Sequence, residues 1–335
     1  MGPDERGATW PSVTVILPVL NEVEFIDRAL GDLLSQDYEG PFEVVVADGG
    51  STDGTLERLE SWTARDERLA VIPNPDKRQA CGLNRAASKA AGKLLVRADG
   101  HTSFAVDYVR CSVEVLIDIG GAVGGRMSPV GGSGIGRAVA EAMESPLMVG
   151  PGRFHHASER ESVDTVYLGA FATEDFEALG GFRPFPSGSS EDADFFYRWR
   201  ESGRAIFVDP AIVSTYSPRD TAQSLWRQYF RYGLGKAEML WVNGRLPSLR
   251  PLAPLVLVVG LLATTLLGLF AGNWWPLLGT MTAWLALLVG VALSGSGAGP
   301  LVVFVGVVMH IAYGLGMTWG LVRGPGPVRY LRRDP

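Results

Sequence analysis

The sequence predicts an α/β fold, a mostly parallel, doubly wound sheet, followed by transmembrane helices. Two observations carry that prediction. Between Ser12 and Ala98, short β-branched runs alternate with segments of helical periodicity, the pattern of parallel strands joined by crossover helices. Between Arg250 and Arg323 there is no Asp, Glu, Lys or Arg.

The elements follow in order. Residues 12–17 (SVTVIL) are a buried strand that Pro18 should end. Residues 22–36 place Phe25, Ile26, Ala29, Leu30, Leu33 and Leu34 on one helical face. Residues 42–47 form the next strand and run into Asp48-Gly49-Gly50-Ser51. Thr52-Asp53 should cap a helix reaching Arg65. Residues 69–72 are a strand, 78–91 a helix, and 93–98 the strand that leads into Asp99-Gly100-His101. Further on, 122–127, 165–171, 205–208 and 212–216 read as strands, and 174–179 and 191–201 as helices. Residues 221–241 are amphipathic and rich in aromatics, as expected of a helix lying along a membrane interface.

Three apolar runs, 252–272, 275–293 and 301–322, fill the charge-free region. About 20 residues at ~1.5 Å each cross a hydrocarbon core of ~30 Å, so each run is long enough to span. Arg245 and Arg250 precede the first run, and Arg323, Arg329, Arg332 and Arg333 follow the last. Basic flanks favour the cytoplasmic side, yet three crossings would put these flanks on opposite sides. Either one run is re-entrant or interfacial, or the short tail breaks the rule. The expected organisation is a tail (1–11), an α/β domain (12–220), an interfacial region (221–250), a transmembrane region of two or three spans (251–323) and a basic tail (324–335).

Composition narrows the function. Of 30 Lys+Arg only four follow Arg250, and of 36 Asp+Glu only one does, so residues 1–250 carry 26 and 35. Such a surplus of acid repels a polyanion, and nucleic acid is not an expected partner. The two cysteines, Cys81 and Cys111, lack metal-ligand spacing and imply no disulfide framework. The first twelve residues have no signal-peptide pattern. No G-x-G-x-x-G follows the first strand, and there is no P-loop.

In doubly wound sheets, ligands bind at the carboxyl ends of the strands. Three such ends carry polar clusters here: Pro18 to Glu22, Asp48 to Asp53, and Asp99 to His101. Each alone is turn or cap chemistry. Their succession along one rim is what points to a site.

The ordered run VILPVLNE, VVVADGGSTDGT, VRADGH, GGF, SEDADFFYRWR and RQYFRYG resembles the inverting glycosyltransferases of family 2, which have the GT-A fold. It is most like the membrane-attached bacterial enzymes of the succinoglycan-biosynthesis type. The resemblance covers residues 12–240. It implies that Pro18, Asn21, Glu22 and Asp48 hold the nucleoside of a nucleotide sugar, expected to be UDP-linked, and that Arg78 and Asn84 lie near its diphosphate. The family's Asp-x-Asp aligns with Asp99-Gly100-His101, so Asp99 and His101 are the implied ligands of a divalent cation. Imidazole suits Mn²⁺ better than Mg²⁺, so Mn²⁺ is expected ahead of Mg²⁺.

Glu191-Asp192 resembles the family's acidic pair at the start of the acceptor-side helix, with Asp192 the implied general base, whereas Asp194 reads as a helix-face acid. Gln228 and Arg231 match the Gln-x-x-Arg-Trp motif of membrane-bound members, with Tyr232 in place of Trp. That change favours single-sugar transfer over processive synthesis, and Arg231 is the implied diphosphate contact. His155-His156 reads as a surface loop, with an acceptor-loop element or a third metal contact as the alternatives.

These features together imply transfer of one sugar to a lipid-linked or glycan acceptor at the cytoplasmic face of a bacterial plasma membrane, with membrane lipids as further partners. A polyprenyl-phosphate acceptor, or an inactive scaffold of an envelope assembly complex, are the alternatives. A transporter fits poorly, because it leaves the acidic domain without a role.

Overall fold

The computed structural model describes residues 10–132, 134–149, 157–246, 248–295 and 298–324. Its first half follows the alternation read from the sequence. Strands β1 (Val13–Val19), β2 (Phe42–Asp48), β3 (Leu69–Pro73) and β4 (Leu94–Arg97) alternate with helices α1 (Ile26–Leu34), α2 (Thr55–Thr63) and α3 (Gln79–Ala87). These strands pair in parallel in the order β3-β2-β1-β4.

The sheet then continues in antiparallel fashion. The chain adds β5 (Thr102–Phe104), α4 (Tyr108–Ile119), β6 (Ala122–Pro129), α5 (Gly134–Met143), α6 (Pro146–Val149), β7 (Glu161–Ser162), β8 (Tyr167–Ala172), α7 (Thr173–Ala178), α8 (Glu191–Glu201) and β9 (Ile206–Tyr216). The full order is β3-β2-β1-β4-β8-β6-β9-β5, with β7 on β9.

Side-chain alternation along β1 shows why both faces are covered. Val13, Val15 and Leu17 join one core with Ile26, Leu30 and Leu33 of α1 and Val109 and Val113 of α4. Ile16 points the other way, into a core built from Ala80, Leu83 and Ala86 of α3 and Phe195 and Trp199 of α8. A strand buried on both faces has no solvent-facing side, which is why 12–17 reads as a mostly apolar run without polar alternation; the one buried polar side chain, Thr14, donates to Glu43.

Three details differ from the sequence reading. Pro18 does not end β1, which pairs on to Val19↔Asp48. Ile16 O accepts Ala98 N, so even-numbered positions face β4, and the β1–β4 ladder stops at Ile16↔Arg97. Pro18 therefore lacks its donor where no partner strand needs it. Residues 205–208 and 212–216 are one strand rather than two, and Pro210 lies between the stretch paired to β7 and the stretch paired to β5. Helix α2 begins at Thr55, two residues later than the expected cap, and Asp53 Oδ1 accepts from the Thr55 N–H at 3.0 Å.

The chain divides into two compact units. The first holds residues 1–128, 153–184 and 191–216, and the second holds 129–152, 185–190 and 217–335. The sequence reading gave 129–152 and 185–190 to the α/β domain, whereas their contacts lie with the helical unit. That unit contains α5, α6, α9 (Ala222–Asn243), α10 (Ala253–Ala271), α11 (Trp275–Ser294) and α12 (Pro300–Arg323). The last three are long and apolar enough to cross a membrane.

Candidate active site

The rim begins where β1 and β2 end. Asn21, at φ 58°, donates its backbone N–H to Ser51 Oγ (2.9 Å) and accepts the Thr52 N–H on Oδ1 (2.9 Å). Beside it, Glu22 N donates to Thr55 Oγ1 (2.8 Å) and Val23 N to Asp53 Oδ2 (3.1 Å). The two strand-end loops are thus cross-braced. The Thr55 hydroxyl above all holds the Asp53 carboxyl below its ordinary value, against desolvation and with help from neighbouring backbone N–H groups.

Asp48 is buried at the end of β2 and folds its carboxylate over its own turn. It accepts from Gly50 N (2.8 Å), Ser51 N (3.1 Å) and Ser51 Oγ (2.6 Å). A carboxylate has about four lone-pair directions, so acceptor capacity remains.

At the end of β4, Asp99 is buried and receives Gln79 Nε2 at 3.2 Å. Arg97 lies beneath it. Its Nε is 3.5 Å from Asp99 Oδ1, and its Nη2 is 3.4 Å from Glu191 Oε1. The guanidinium also stands over the Phe182 ring, 5.5 Å from its centroid, and the Arg97 carbonyl accepts Tyr108 OH. Burial opposes its charge, but Asp99 and Glu191 outweigh burial and raise its pKa. Two residues on, His101 Nδ1 is 3.4 Å from Glu22 Oε1, and its ring meets Tyr216 edge-on. That Nδ1 is buried and has no hydrogen-bond partner.

Glu191 and Asp192 open α8. Glu191 is buried, and burial, then repulsion from Asp192, push its carboxyl up to about 7 against the pull of Arg97. Asp192 is half-buried and accepts its neighbour's N–H, Ala193 N, at 2.6 Å. Asp194 is a different kind of acid. It is fully buried and clamped by Arg183 (3.1 Å) and Arg198 (2.8 Å).

Asn84 and Arg78 face the loop before α8. Asn84 Nδ2 donates to Phe182 O (2.8 Å), and its Oδ1 accepts Phe182 N (2.9 Å). Gly181 has φ +67°, and a Cβ there would stand 2.6 Å from Asn84 Oδ1. Glycine is thus required for the loop to close on α3. Arg78 Nη1 reaches Pro184 O at 3.4 Å.

Within the α/β unit, then, Pro18, Asn21, Glu22, Asp48, Asp99 and His101 occupy adjoining strand ends, and Arg97 ties Asp99 to Glu191. Asn84 is committed to the loop backbone through both ends of its amide. Gln228 and Arg231 belong to the helical unit. There Gln228 Nε2 donates to Tyr232 OH (3.0 Å), and Arg231 donates from Nε to Ser187 O and from Nη2 to Gly188 O, both at 3.0 Å. Glu238 holds the other side of that loop, accepting Ser187 N at 3.0 Å. His155 and His156 lie outside the described residues.

Sequence reasoning missed Arg97, Gln79 and Glu238. A signal for the first was present: an arginine inside the strand run LLVRA has to be buried, and a buried charge requires partners.

Comparison with known proteins gives consistent results. Residues 14–173 match the family model described as glycosyl transferase family 2. The chain is 30% identical over 324 residues to the succinoglycan biosynthesis protein ExoA of Rhizobium meliloti (strain 1021), covering 94% of this chain and 96% of that protein. It is 23% identical over 237 residues, 68% of this chain and 74% of the relative, to the Methanococcus voltae dolichyl N-acetyl-alpha-D-glucosaminyl phosphate 3-beta-D-2,3-diacetamido-2,3-dideoxy-beta-D-glucuronosyltransferase. Among solved structures, the mannosyltransferase PcManGT from Pyrobaculum calidifontis, in complex with GDP-Man and Mn²⁺, shares the fold. Its TM-score is 0.58 at 21% identity, covering 93% of this chain and 87% of that one.

Proposed function

This chain belongs to glycosyl transferase family 2, and from that premise we propose that it transfers a single sugar from a nucleotide sugar, with inversion at the anomeric carbon. The acceptor is a hydroxyl of a lipid-linked sugar or glycan at the cytoplasmic face of the membrane. One observation carries the proposal. Arg97 is ion-paired both to Asp99, on the rim, and to Glu191, which opens the helix bearing Asp192.

In this reading, Asp48 and Glu22 accept hydrogen bonds from the base and ribose of the donor, a uridine nucleotide. The loop braced by Asn21 keeps Glu22 in place. Asp192 takes the proton from the acceptor hydroxyl as its oxygen attacks the anomeric carbon. The new C–O bond forms as the bond to the nucleoside diphosphate breaks, and that electron pair leaves with the diphosphate. Within the helical unit, Arg231 spends two donors on the 187–188 carbonyls.

A divalent cation fits the rim in a limited way. Among the described residues no group of three or more His, Cys, Asp or Glu could enclose one. A cation held mainly by phosphate oxygens and water needs only one or two protein ligands. The unpartnered, buried His101 Nδ1 and the Glu22 carboxylate 3.4 Å from it suit that case. Asp99 and His101 would hold it, with Mn²⁺ preferred to Mg²⁺. When bound, the cation neutralises charge on the departing diphosphate.

The acceptor class draws support from the Methanococcus relative, whose name specifies a dolichyl phosphate-linked sugar. The test is a panel of nucleotide sugars and polyprenyl-linked acceptors with the purified protein, scoring released nucleotide and the anomeric configuration of the product. Retained configuration would overturn the direct displacement.

A further inference from the structure

Among the described residues three helices are apolar enough to span a membrane, but α12 is unlike the other two. Half of its most apolar window is buried, against 6% for the window ending α10 and 11% for α11. Its neighbours explain why. Along its first half, α12 rests on α5 and α6. Glu141 of α5 accepts Ala298 N at 3.0 Å, just ahead of α12. Met148 packs on Gly306, and His310 Nε2 lies 3.2 Å from the Met148 carbonyl oxygen. Trp284 of α11 donates to His310 Nδ1, which leaves Nε2 as the donor to Met148.

Along its second half, α9 runs beside α12 in the same direction. Phe230 meets Gly316, Gly233 meets Tyr313 and Met317, and Leu234 and Ala237 meet Gly320. Trp241 Nε1 then donates to Gly320 O at 3.3 Å. The approach is backbone to backbone: a Cβ on Gly233 would stand 2.0 Å from Tyr313 O, and one on Gly316 2.1 Å from Phe230 O. Small residues at such positions let helices touch.

Between Leu225 and Trp241, roughly 24 Å of helix at ~1.5 Å per residue, α9 carries Arg227, Arg231, Lys236 and Glu238. Were α12 to cross the bilayer, this charged helix would be drawn to the same depth, where each charge is costly. Helices α10 and α11 carry no charge and expose large apolar side chains, among them Val256, Leu262, Phe270, Trp275 and Leu293.

We infer that α10 and α11 enter the lipid as a hairpin from one face of the membrane, and that α12, sheathed by α5, α6 and α9, stays outside the hydrocarbon on that same face. The inference rests on the reading of the protein as membrane-attached. Lipid acyl chains are then the partner of the hairpin, while the exposed Phe304, Leu315 and Trp319 of α12 face the membrane interface. Arg245 and Arg250 before the hairpin and Arg323 after it then come to one side, as the bias of basic residues favours and three crossings would not allow.

Cysteine labelling tests this. Cys81→Ser and Cys111→Ala clear the background, and single cysteines are placed by Glu67→Cys in the α/β unit and Pro335→Cys in the tail. A membrane-impermeant maleimide is applied to spheroplasts and to inverted vesicles. Both positions should react in one preparation and both be shielded in the other. Reaction of Pro335→Cys in the preparation that shields Glu67→Cys would overturn the inference. If the background changes impair folding, protease protection of epitopes at the two ends of the parent chain gives the same decision. A carbonate wash is read separately: release of the protein from the membrane would overturn attachment itself, leaving the sugar-transfer reading untouched.

Discussion

Arg97 and Glu191, 94 residues apart in the chain, meet at 3.4 Å in the interior of the α/β unit. The same guanidinium faces Asp99 at 3.5 Å and rests on Phe182. One buried cation therefore answers to two carboxylates and an aromatic ring. A cation so placed is costly to bury and costlier to lose, since removing it leaves acids buried without a counter-charge.

Arg97→Met is expected to destabilise the fold by about 3–5 kcal/mol and to depress transfer more than Arg97→Lys does. The informative measurement is a double-mutant cycle by urea unfolding. The loss in Arg97→Met should shrink when Glu191→Gln is already present, because the orphaned acid is then gone. Strict additivity would show that the 3.4 Å pair carries no coupling.

The raised carboxyl of Glu191 has a signed consequence. Between the ordinary glutamate range and about 7, the folded protein holds a proton that the unfolded chain has released. Stability from this group is therefore lost as pH rises through that window. Urea midpoints of the parent should fall between about pH 5 and about pH 8, and Glu191→Gln should remove part of that fall. Equal slopes for the two proteins would contradict the shift.

Asp192→Asn should lower the turnover number by about 10²–10⁴-fold, the usual worth of a general base. Its affinity for the nucleotide sugar, read by calorimetry, should stay within about twofold of the parent, since binding does not use the base. Parent-like turnover would remove Asp192 from the mechanism.

His101→Ala should raise the Mn²⁺ concentration for half-maximal nucleotide binding by roughly 10–100-fold, and His101→Asp should recover part of that loss. If both variants titrate like the parent, the cation is held without His101.

Asn84→Ala tests a residue whose two implied uses compete. Both ends of its amide are spent on Phe182, so the substitution should cost about 1–3 kcal/mol of stability. Donor affinity at low temperature, where the protein stays folded, should change little. A large loss of affinity without a change in melting temperature would restore the diphosphate role.

The parallel half of the sheet was legible because its signals are local. A strand buried on both faces is mostly apolar and β-branched, and residues 12–17 and 42–47 fit that, with Thr14 and Glu43 satisfying each other by a hydrogen bond. The three strand-end clusters were legible because a parallel sheet places successive carboxyl ends on one rim. What stayed hidden depends on distant partners. Pro18 continues β1 only because the β4 ladder stops two residues earlier. Asp194 and Asp192 stand in one acidic run, yet two arginines, one of them 11 residues upstream, make the first a buried strut. No local pattern distinguishes them. The apolar run of α12 is as long as those of α10 and α11, and His310 is its one local mark; its packing on α5, α6 and α9 comes from distant partners.

The division of the chain bears on how the protein can be cut. A soluble fragment ending at Tyr216 looks natural, since β9 closes there and the helical run follows. Such a fragment would retain 129–152 and 185–190 while discarding their partners. Ala138, Val139 and Met148 would lose the Leu225, Val305 and Met309 core that covers them. The 185–190 loop would lose Arg231 and Glu238, and Ser190, held at φ 68°, would lose the scaffold beside Gly235. Truncation would thus yield a sticky, aggregation-prone product, and surgery on this chain has to keep or excise the two inserted stretches together with the helices they serve.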